Sequence, residues 1–477
     1  MRRETPGAYF RGCARRARRA GLAALWLALL LSQPLSAALR AGVAQVQINP
    51  DLPAWLTGFA ARTSPATRIM DDLHAKAIAL DDGSGERLVL VTADLIGFTR
   101  EIIGEVAARA AREHRLERRQ IVFNASHTHS GPSVWPRLHV APVSGPEVDR
   151  QLRAYAGSLI SKLDDVITRA LEGMQPATLD FALGEADFAT NRRLEQLAQI
   201  RPGQSFPGPV DRSVPALRVR ARSGATLAIV FGYACHNTVL TADFNEVSAD
   251  YAGYAQRSLE RAYPGSIALF TILCAGDQRP APRGKPELAA RHGETLSLAV
   301  RKALSGKTLS LTGPLRSSYE EITLPFQVHS RDVFEAESKS TDFFLARRGR
   351  LMIEAIDAGK PALSTPYPVQ AFRIGNGPAW IALGGEVVVD YQLRLEREFG
   401  ARRVVVLGSS NDVMGYIPSR RVQREGGYEA GDSLVYFSQP GWFTEEVEDL
   451  VLGCARRLLS AVGLPATPRS QSSAPLE

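Results

Sequence analysis

Two histidines one residue apart, His127 and His129, follow a short apolar run in Gln120-Ile-Val-Phe-Asn-Ala-Ser-His-Thr-His-Ser-Gly-Pro132. Ile121, Val122 and Phe123 read as a buried strand, Asn124 ends it, and Ser130-Gly131-Pro132 breaks any regular structure. Imidazoles on a loop just past a strand can hold a metal ion or move a proton. A His-x-His pair alone is equally compatible with two hydrogen-bonded loop histidines. Its weight depends on what else reaches the same place, and only eight His occur in the chain.

Four further apolar runs end in the same way. The run 226–235 stops at His236, 266–274 at Gly276-Asp277, and 380–383 at Gly385-Glu386, while 403–407 leads to Gly415-Tyr416. Ligands of open α/β sheets bind outside the carboxyl ends of the strands. Two imidazoles and a carboxylate, with one position left open, are a usual donor set for catalytic zinc. Each residue alone could be a cap or a satisfied core polar group. Their common position at strand ends is what points to a metal centre.

The elements that must position these residues are those of an α/β domain. Strands are expected at 42–48, 74–80 and 87–94, then a helix over 99–118 with Ile102, Ile103, Val106, Ala107 and Ala110 on one face. A second amphipathic helix spans about 147–173, followed by a strand at 178–183, a surface loop at 201–213, a hairpin at 216–220 and 226–235, and a helix at 251–263. Residues 331–365 read as a helical excursion and a further helix reaches Phe399. The pattern implies large mixed sheets flanked by helices, with the metal site at the carboxyl ends of the strands. No internal repeat or long linker divides it.

Residues 1–20 carry seven Arg against one Glu, and Leu22-Ala-Ala-Leu-Trp-Leu-Ala-Leu-Leu-Leu31 is apolar throughout. With Ser32-Gln-Pro-Leu-Ser-Ala-Ala38 after it, this is the three-part plan of a secretory signal peptide, cut after Ala37 or Ala38. The leader supplies six of the seven net positive charges, so the basicity is no argument for nucleic-acid binding. The residues after the leader hold Cys235, Cys274 and Cys454, too few for a disulfide framework. Buried free thiols are expected, with one bridge between Cys235 and Cys274 as the alternative.

Asn-Ala-Ser-His127-Thr-His129-Ser-Gly-Pro, Cys-His236-Asn-Thr-Val-Leu with Ser248-Ala-Asp-Tyr251, Ala-Gly276-Asp277, Gly385-Glu386 and Gly415-Tyr416-Ile-Pro resemble, in this order, the neutral/alkaline (non-lysosomal) ceramidases. Gly42-Val-Ala and Asn191-Arg192 are similar too. After the signal peptide at 1–38, the resemblance implies a catalytic domain over 39–463 without the immunoglobulin-like domain that follows in the family; the Pro/Ser-rich composition of 464–477 reads as a disordered tail. It implies that His127, His236, Glu386 and Tyr416 bind Zn²⁺, and that His129, Asp277 and Tyr416 serve the chemistry. Arg192 would contact the substrate. The implied reaction is cleavage of an N-acyl amide, of a ceramide-like lipid, by a Zn-activated water, with transient contact at a membrane surface. The family has serine in a Gly-Asp-x-Ser-Pro string, where this chain has Gly276-Asp277-Gln278-Arg279-Pro280. Arginine cannot be a nucleophile and suits an anionic group. A zinc esterase or amidase with another, anionic substrate read by Arg279 is therefore the alternative, and a non-catalytic binding protein the third.

The leader predicts export with cleavage near Ala37 or Ala38. N-terminal sequencing of protein recovered from the periplasm or medium checks it, and soluble cytoplasmic protein that retains Met1 would contradict it.

Overall fold

Alternating and continuous apolar runs set the strands of this chain. In the computed structural model, which describes residues 39–193 and 208–466, the strands begin with β1 (Arg40–Gln47), β2 (His74–Asp81), β3 (Arg87–Ala93), β4 (Ile121–Ala125), β5 (Gln175–Glu185) and β6 (Ala189–Asn191). They continue with β7 (Ser213–Ala221), β8 (Thr226–Tyr233), β9 (Ile267–Ile272), β10 (Gln278–Pro280), β11 (Leu309–Leu311) and β12 (Leu315–Pro325). The last are β13 (Ser364–Ile374), β14 (Ala379–Leu383), β15 (Glu386–Val387), β16 (Val404–Leu407) and β17 (Tyr416–Ile417). The expected leader at 1–38, the tail beyond 466 and most of the loop expected at 201–213 lie outside the described residues.

One sheet runs β4-β3-β2-β1-β5-β7-β8-β9, with β11 added on β5, and a second runs β12-β13-β14-β16. Both are mixed: β3–β4, β8–β9 and β14–β16 are parallel pairs. The sheets face each other across a shared core, where Leu90, Val122, Val230 and Leu269 of the first meet Phe372, Trp380, Ala382 and Leu407 of the second. Trp380 stacks on Phe372 at 5.7 Å and meets Phe181 edge-on at 6.3 Å. Their outer faces are covered by helices. On the first sheet these are α1 (Arg100–His114), α2 (Pro146–Glu172), α3 (Asp250–Ala262) and α4 (Pro286–Ser305). After α5 (Arg331–Ser338) and α6 (Phe343–Asp357) come α7 (Asp390–Phe399), α8 (Arg420–Glu425) and α9 (Val447–Ala461), of which α7 and α9 pack on the second sheet. The expected mixed α/β class is therefore a four-layer helix–sheet–sheet–helix arrangement. Among the described residues no helix is long and apolar enough to cross a membrane.

Helix α1 buries Ile102, Ile103, Val106 and Ala110, as its spacing predicts, yet ends at His114 rather than near 118. Arg115 turns left-handed at φ 55° and returns its N–H to Ala110 O. Glu117 and Gln120 then cap a short 3₁₀ turn, Arg118–Gln120, so the helix cannot continue. The excursion at 331–365 appears as α5 and α6, but its last residues open β13. Strands β12 and β13 were not expected. Arg-Ser-Ser-Tyr-Glu-Glu in β12 has no apolar period, and its pairing from Leu315↔Ile374 to Pro325↔Ser364 is decided between distant segments. Cys235, Cys274 and Cys454 are buried free thiols.

The two edges of the first sheet meet at the end of β4. The fully buried Asn124 takes the place of a ladder rung. Its Oδ1 accepts from Ile272 N at 2.9 Å, and its Nδ2 donates to Gly408 O at 2.8 Å, to Ser410 Oγ at 3.1 Å and to Ile272 O at 3.3 Å. Replacing Asn124 by Ala leaves several of these buried groups without partners, at about 1–3 kcal/mol for each. Asn124→Ala is thus expected to lose about 3 kcal/mol or more, read as a lower urea midpoint. A midpoint unchanged from wild type would contradict this account of the junction.

Candidate metal centre

The carboxyl ends of β4, β8, β14 and β16 deliver side chains to one place. Two residues after β4, His127 takes a left-handed backbone at φ 63°, held by its N–H to Leu95 O at 2.8 Å. This turn points the imidazole back over the strand ends, where Nδ1 lies 2.7 Å from Ile96 O. His236 follows β8, and its Nδ1 lies 2.7 Å from Ala275 O and 3.0 Å from Gln278 O. A carbonyl only accepts, so both Nδ1 atoms carry a proton and the Nε2 atoms are the ones turned towards Glu386. Glu386 and Tyr416 stand side by side because β15 and β17 pair in parallel with Glu386 opposite Tyr416. Gly385 permits this: it sits at φ +70°, and a Cβ there would come within 2.6 Å of Gly415 O.

Glu386 Oε2 is 3.1 Å from His127 Nε2 and 3.1 Å from His236 Nε2, and the Tyr416 hydroxyl is 3.2 Å from His236 Nε2. Burial acts to raise the Glu386 carboxyl, yet His127 and His236 outweigh it and hold the group well below the usual carboxylate range. Burial, and then the Arg192 charge, push His236 down to about 4, so its imidazole is neutral at pH 7. A carboxylate oxygen thus stands 3.1 Å from the Nε2 atoms of two imidazoles anchored through Nδ1, a set of side chains that could hold a cation. The spacing suits one: a tetrahedral ion with bonds of about 2.0–2.1 Å places its ligands about 3.3–3.4 Å apart.

His129 belongs to the same cluster. One nitrogen of each of His127, His129 and His236 lies within 4.8 Å of the others, and His129 Nε2 is 3.3 Å from His127 Nε2. Burial, then the neighbouring His127 and His236, lower its pKa well below the usual histidine value. It differs from the other two in one respect: its buried Nδ1 has no hydrogen-bond partner. His129, Glu386 and Tyr416 line a cavity of about 180 Å³ whose other walls include Phe59, Ile96, Leu138, Val140, Tyr428, Tyr436 and Phe437.

Arg192 lies behind Tyr416 and is engaged on every side. Its Nη2 donates to the Tyr416 hydroxyl at 2.8 Å and to Gly276 O at 2.9 Å, and its Nε pairs with Glu429 at 2.7 Å. Asp277 is fully buried; its Oδ1 accepts from Val389 N at 2.9 Å and its Oδ2 from Asn191 Nδ2 at 2.8 Å. Burial and the neighbouring Asp390 raise its pKa to about 6. The structure thus brings together His127, His129, His236, Glu386 and Tyr416, with Arg192 directly behind them. Asp277 sits one layer further back, and the half-buried Arg279 lies on β10 opposite Thr190 and does not line the cavity.

Sequence reasoning missed Asn237 and Glu429. Asn237 joins the two histidine loops: it donates to Ser126 O at 2.5 Å, and its carbonyl accepts from His129 N at 3.2 Å. Its place directly after His236 was the available signal. Glu429 receives both Arg192 and Arg193, at 2.7 and 2.8 Å, and no local pattern announced it.

The sequence model of the family described as neutral/alkaline non-lysosomal ceramidase, N-terminal, matches residues 42–286. A neutral ceramidase of Mycobacterium tuberculosis is 24% identical over 244 residues, 47% of this chain and 37% of that protein. The match therefore spans little more than a third of that relative's length. The crystal structure of neutral ceramidase from Pseudomonas aeruginosa covers 92% of this chain and 76% of its own, with a TM-score of 0.68 at 20% identity. A ceramidase complexed with C2 covers 92% and 77%, with a TM-score of 0.67 at 18% identity. At these identities the two structures show the same fold.

A set of side chains that could hold a cation predicts metal in the purified protein. Elemental analysis is expected to find about one divalent ion per chain, and His236→Ala is expected to lose most of it, because a primary donor is gone. Equal and negligible metal in wild type and variant would reject the centre.

Proposed function

The chain belongs to the neutral/alkaline non-lysosomal ceramidase family, and from that premise we propose that it is an exported, Zn²⁺-dependent amidohydrolase that cleaves an N-acyl amide of a ceramide-like lipid. One observation carries the reading: Glu386 Oε2 stands 3.1 Å from the Nε2 atoms of His127 and His236 beside a cavity walled by aromatic and aliphatic side chains. His127, His236, Glu386 and Tyr416 would hold the ion. Bound there, Zn²⁺ supplies a Lewis acid and brings the pKa of a water down to about 7.

The chain's own residues do the rest. Ile96, Leu138, Val140 and Phe437 line the cavity; they accept an acyl chain and keep bulk water from the amide. His129 faces that cavity as a neutral imidazole. It can donate a hydrogen bond to the developing oxyanion, or take up the proton that the attacking water loses and hand it to the leaving amine. Burial holds the Tyr416 hydroxyl well above its usual pKa, and Arg192, which donates to it at 2.8 Å, opposes that rise while Glu386 adds to it. Arg192 thereby acts through Tyr416, and Asp277 acts by fixing Asn191 and the Val389 backbone. An anionic substrate read by Arg279 loses support, because that side chain does not line the cavity, and an ester is the competing substrate. The two are separated by a panel of N-acyl amides and matched esters, with released amine or alcohol measured.

On the preferred amide, His129→Ala is expected to keep its metal while kcat falls by about 10²–10³, the usual cost of losing one oxyanion donor. His127→Ala is expected to lose both metal and activity. Metal lost from His129→Ala but retained in His127→Ala would reverse the two roles. Hydrolysis of esters alone would replace the amide reading.

A further inference from the structure

The loop at 57–62 packs around His129, and the reaction as described gives it no part. It is stitched to the segment that follows the imidazole: Leu56 forms a β-bridge with Pro132, and the Thr57 N–H donates to Gly131 O at 3.1 Å. Gly58 sits at φ +95°, and a Cβ there would come within 2.5 Å of His129 Cγ and Nδ1. The imidazole therefore lies flush against a position that tolerates no side chain. Phe59 meets the same ring at a tilt of 58°, 4.8 Å between centroids, and also packs under the Arg62 guanidinium at 5.0 Å.

Arg62 closes this arrangement. It is 3% exposed, and its Nη1 donates to the His129 carbonyl at 2.7 Å and to Thr57 O at 2.8 Å, while Nη2 donates to Phe244 O at 3.1 Å. Those partners are all backbone carbonyls. No ion pair joins Arg62 to a carboxylate among the described residues, and its buried Nε has no hydrogen-bond partner. Burial lowers its pKa to about 10, which still leaves it cationic at neutral pH. A buried guanidinium answered only by dipoles is costly to maintain. A leucine or methionine could fill the volume without that cost, so the hydrogen bonds themselves are what the position requires.

His129 shows why. The rings of His127 and His236 are fixed by carbonyls on Nδ1, at 2.7 Å in each case, but His129 Nδ1 has no such anchor. Apart from the 3.3 Å contact of its Nε2 with His127 Nε2, its orientation depends on packing. We infer that Arg62, together with Gly58 and Phe59, is a positioning residue that fixes the His129 imidazole towards the cavity. The inference rests on the reading of His129 as the group that faces the substrate.

The test uses the full-length protein with N-dodecanoylsphingosine as probe, and a second readout that needs no turnover. Arg62→Gln is expected to lower kcat by about 10- to 100-fold through misplacement of the ring, with KM and metal content unchanged and partial recovery in Arg62→Lys. In a His129→Ala background the same substitution should have no further effect, because the two act as a unit. Gly58→Ala should reproduce the loss independently if Arg62→Gln does not fold. By NMR, the His129 ring resonance, assigned by its absence in His129→Ala, should be single in wild type and broadened or doubled in Arg62→Gln and Gly58→Ala. An unchanged ring resonance in both variants, or a loss from Arg62→Gln that multiplies with that of His129→Ala, would overturn the inference. Inactivity of the wild type on the probe would count against the amide reading, while the NMR comparison would still decide the positioning role.

Discussion

The side-chain amide of Asn124 ties together parts of the fold that are far apart in the chain. It stands at the end of β4, bonds both the N–H and the carbonyl of Ile272 on β9, and reaches Gly408 beyond β16. These three strand ends launch the loops that carry His127, the carbonyls that anchor His236, and the segment that leads to Tyr416. The spacing of the donor atoms is therefore inherited from this junction. An apolar residue would fill the space but would leave buried backbone groups with no partner, a costlier state than the hydrogen-bonded one.

Loops leaving the junction are held in conformations that most residues avoid. His127, Ser409 and Asn411 all have positive φ, at 63°, 42° and 64°. Such positions cost about 1–3 kcal/mol each and persist only where surrounding contacts over-determine them. Here backbone bonds supply the contacts: Ser409 N to Gly385 O at 2.8 Å and Asn411 N to Phe123 O at 2.9 Å lock the loop after β16 to both neighbours. Strain at the strand ends is thus offset by hydrogen bonds in the layer directly beneath.

The charges behind the site are arranged in balanced pairs. Arg192 and Arg193 converge on Glu429 at 2.7 and 2.8 Å, and Arg193 also meets Glu425 at 2.8 Å. Arg421 pairs with Asp390 at 2.7 Å and approaches Asp277 at 3.5 Å. Buried ions are tolerable when each is paired and hydrogen-bonded. At the front of the site Glu386 faces His127 and His236 without an arginine partner of its own, an arrangement that could hold a cation.

The sequence by itself determined the parts of this protein that rest on local pattern. The apolar runs before His127, His236 and Glu386 form strands where their hydrophobicity says they should, and α1, α2 and α3 bury the faces that their spacing marks, because burial of an apolar face is the dominant local driving force. Residue type and position at strand ends likewise marked His127, His129, His236, Asp277, Glu386 and Tyr416 as candidates. It could not set distances between them. The parallel pairing of Glu386 with Tyr416, the meeting of β4 with β9 through Asn124 and the long register of β12 on β13 join segments far apart in the chain. Nothing in either segment alone encodes such a pairing. Burial of the arginines and glutamates behind the site was likewise invisible, because a charged residue reads as surface until its partner is known. Which nitrogen of each histidine faces inward was decided only when Ile96 O and Ala275 O were placed beside the rings, since a tautomer is fixed by the hydrogen bond its other nitrogen makes.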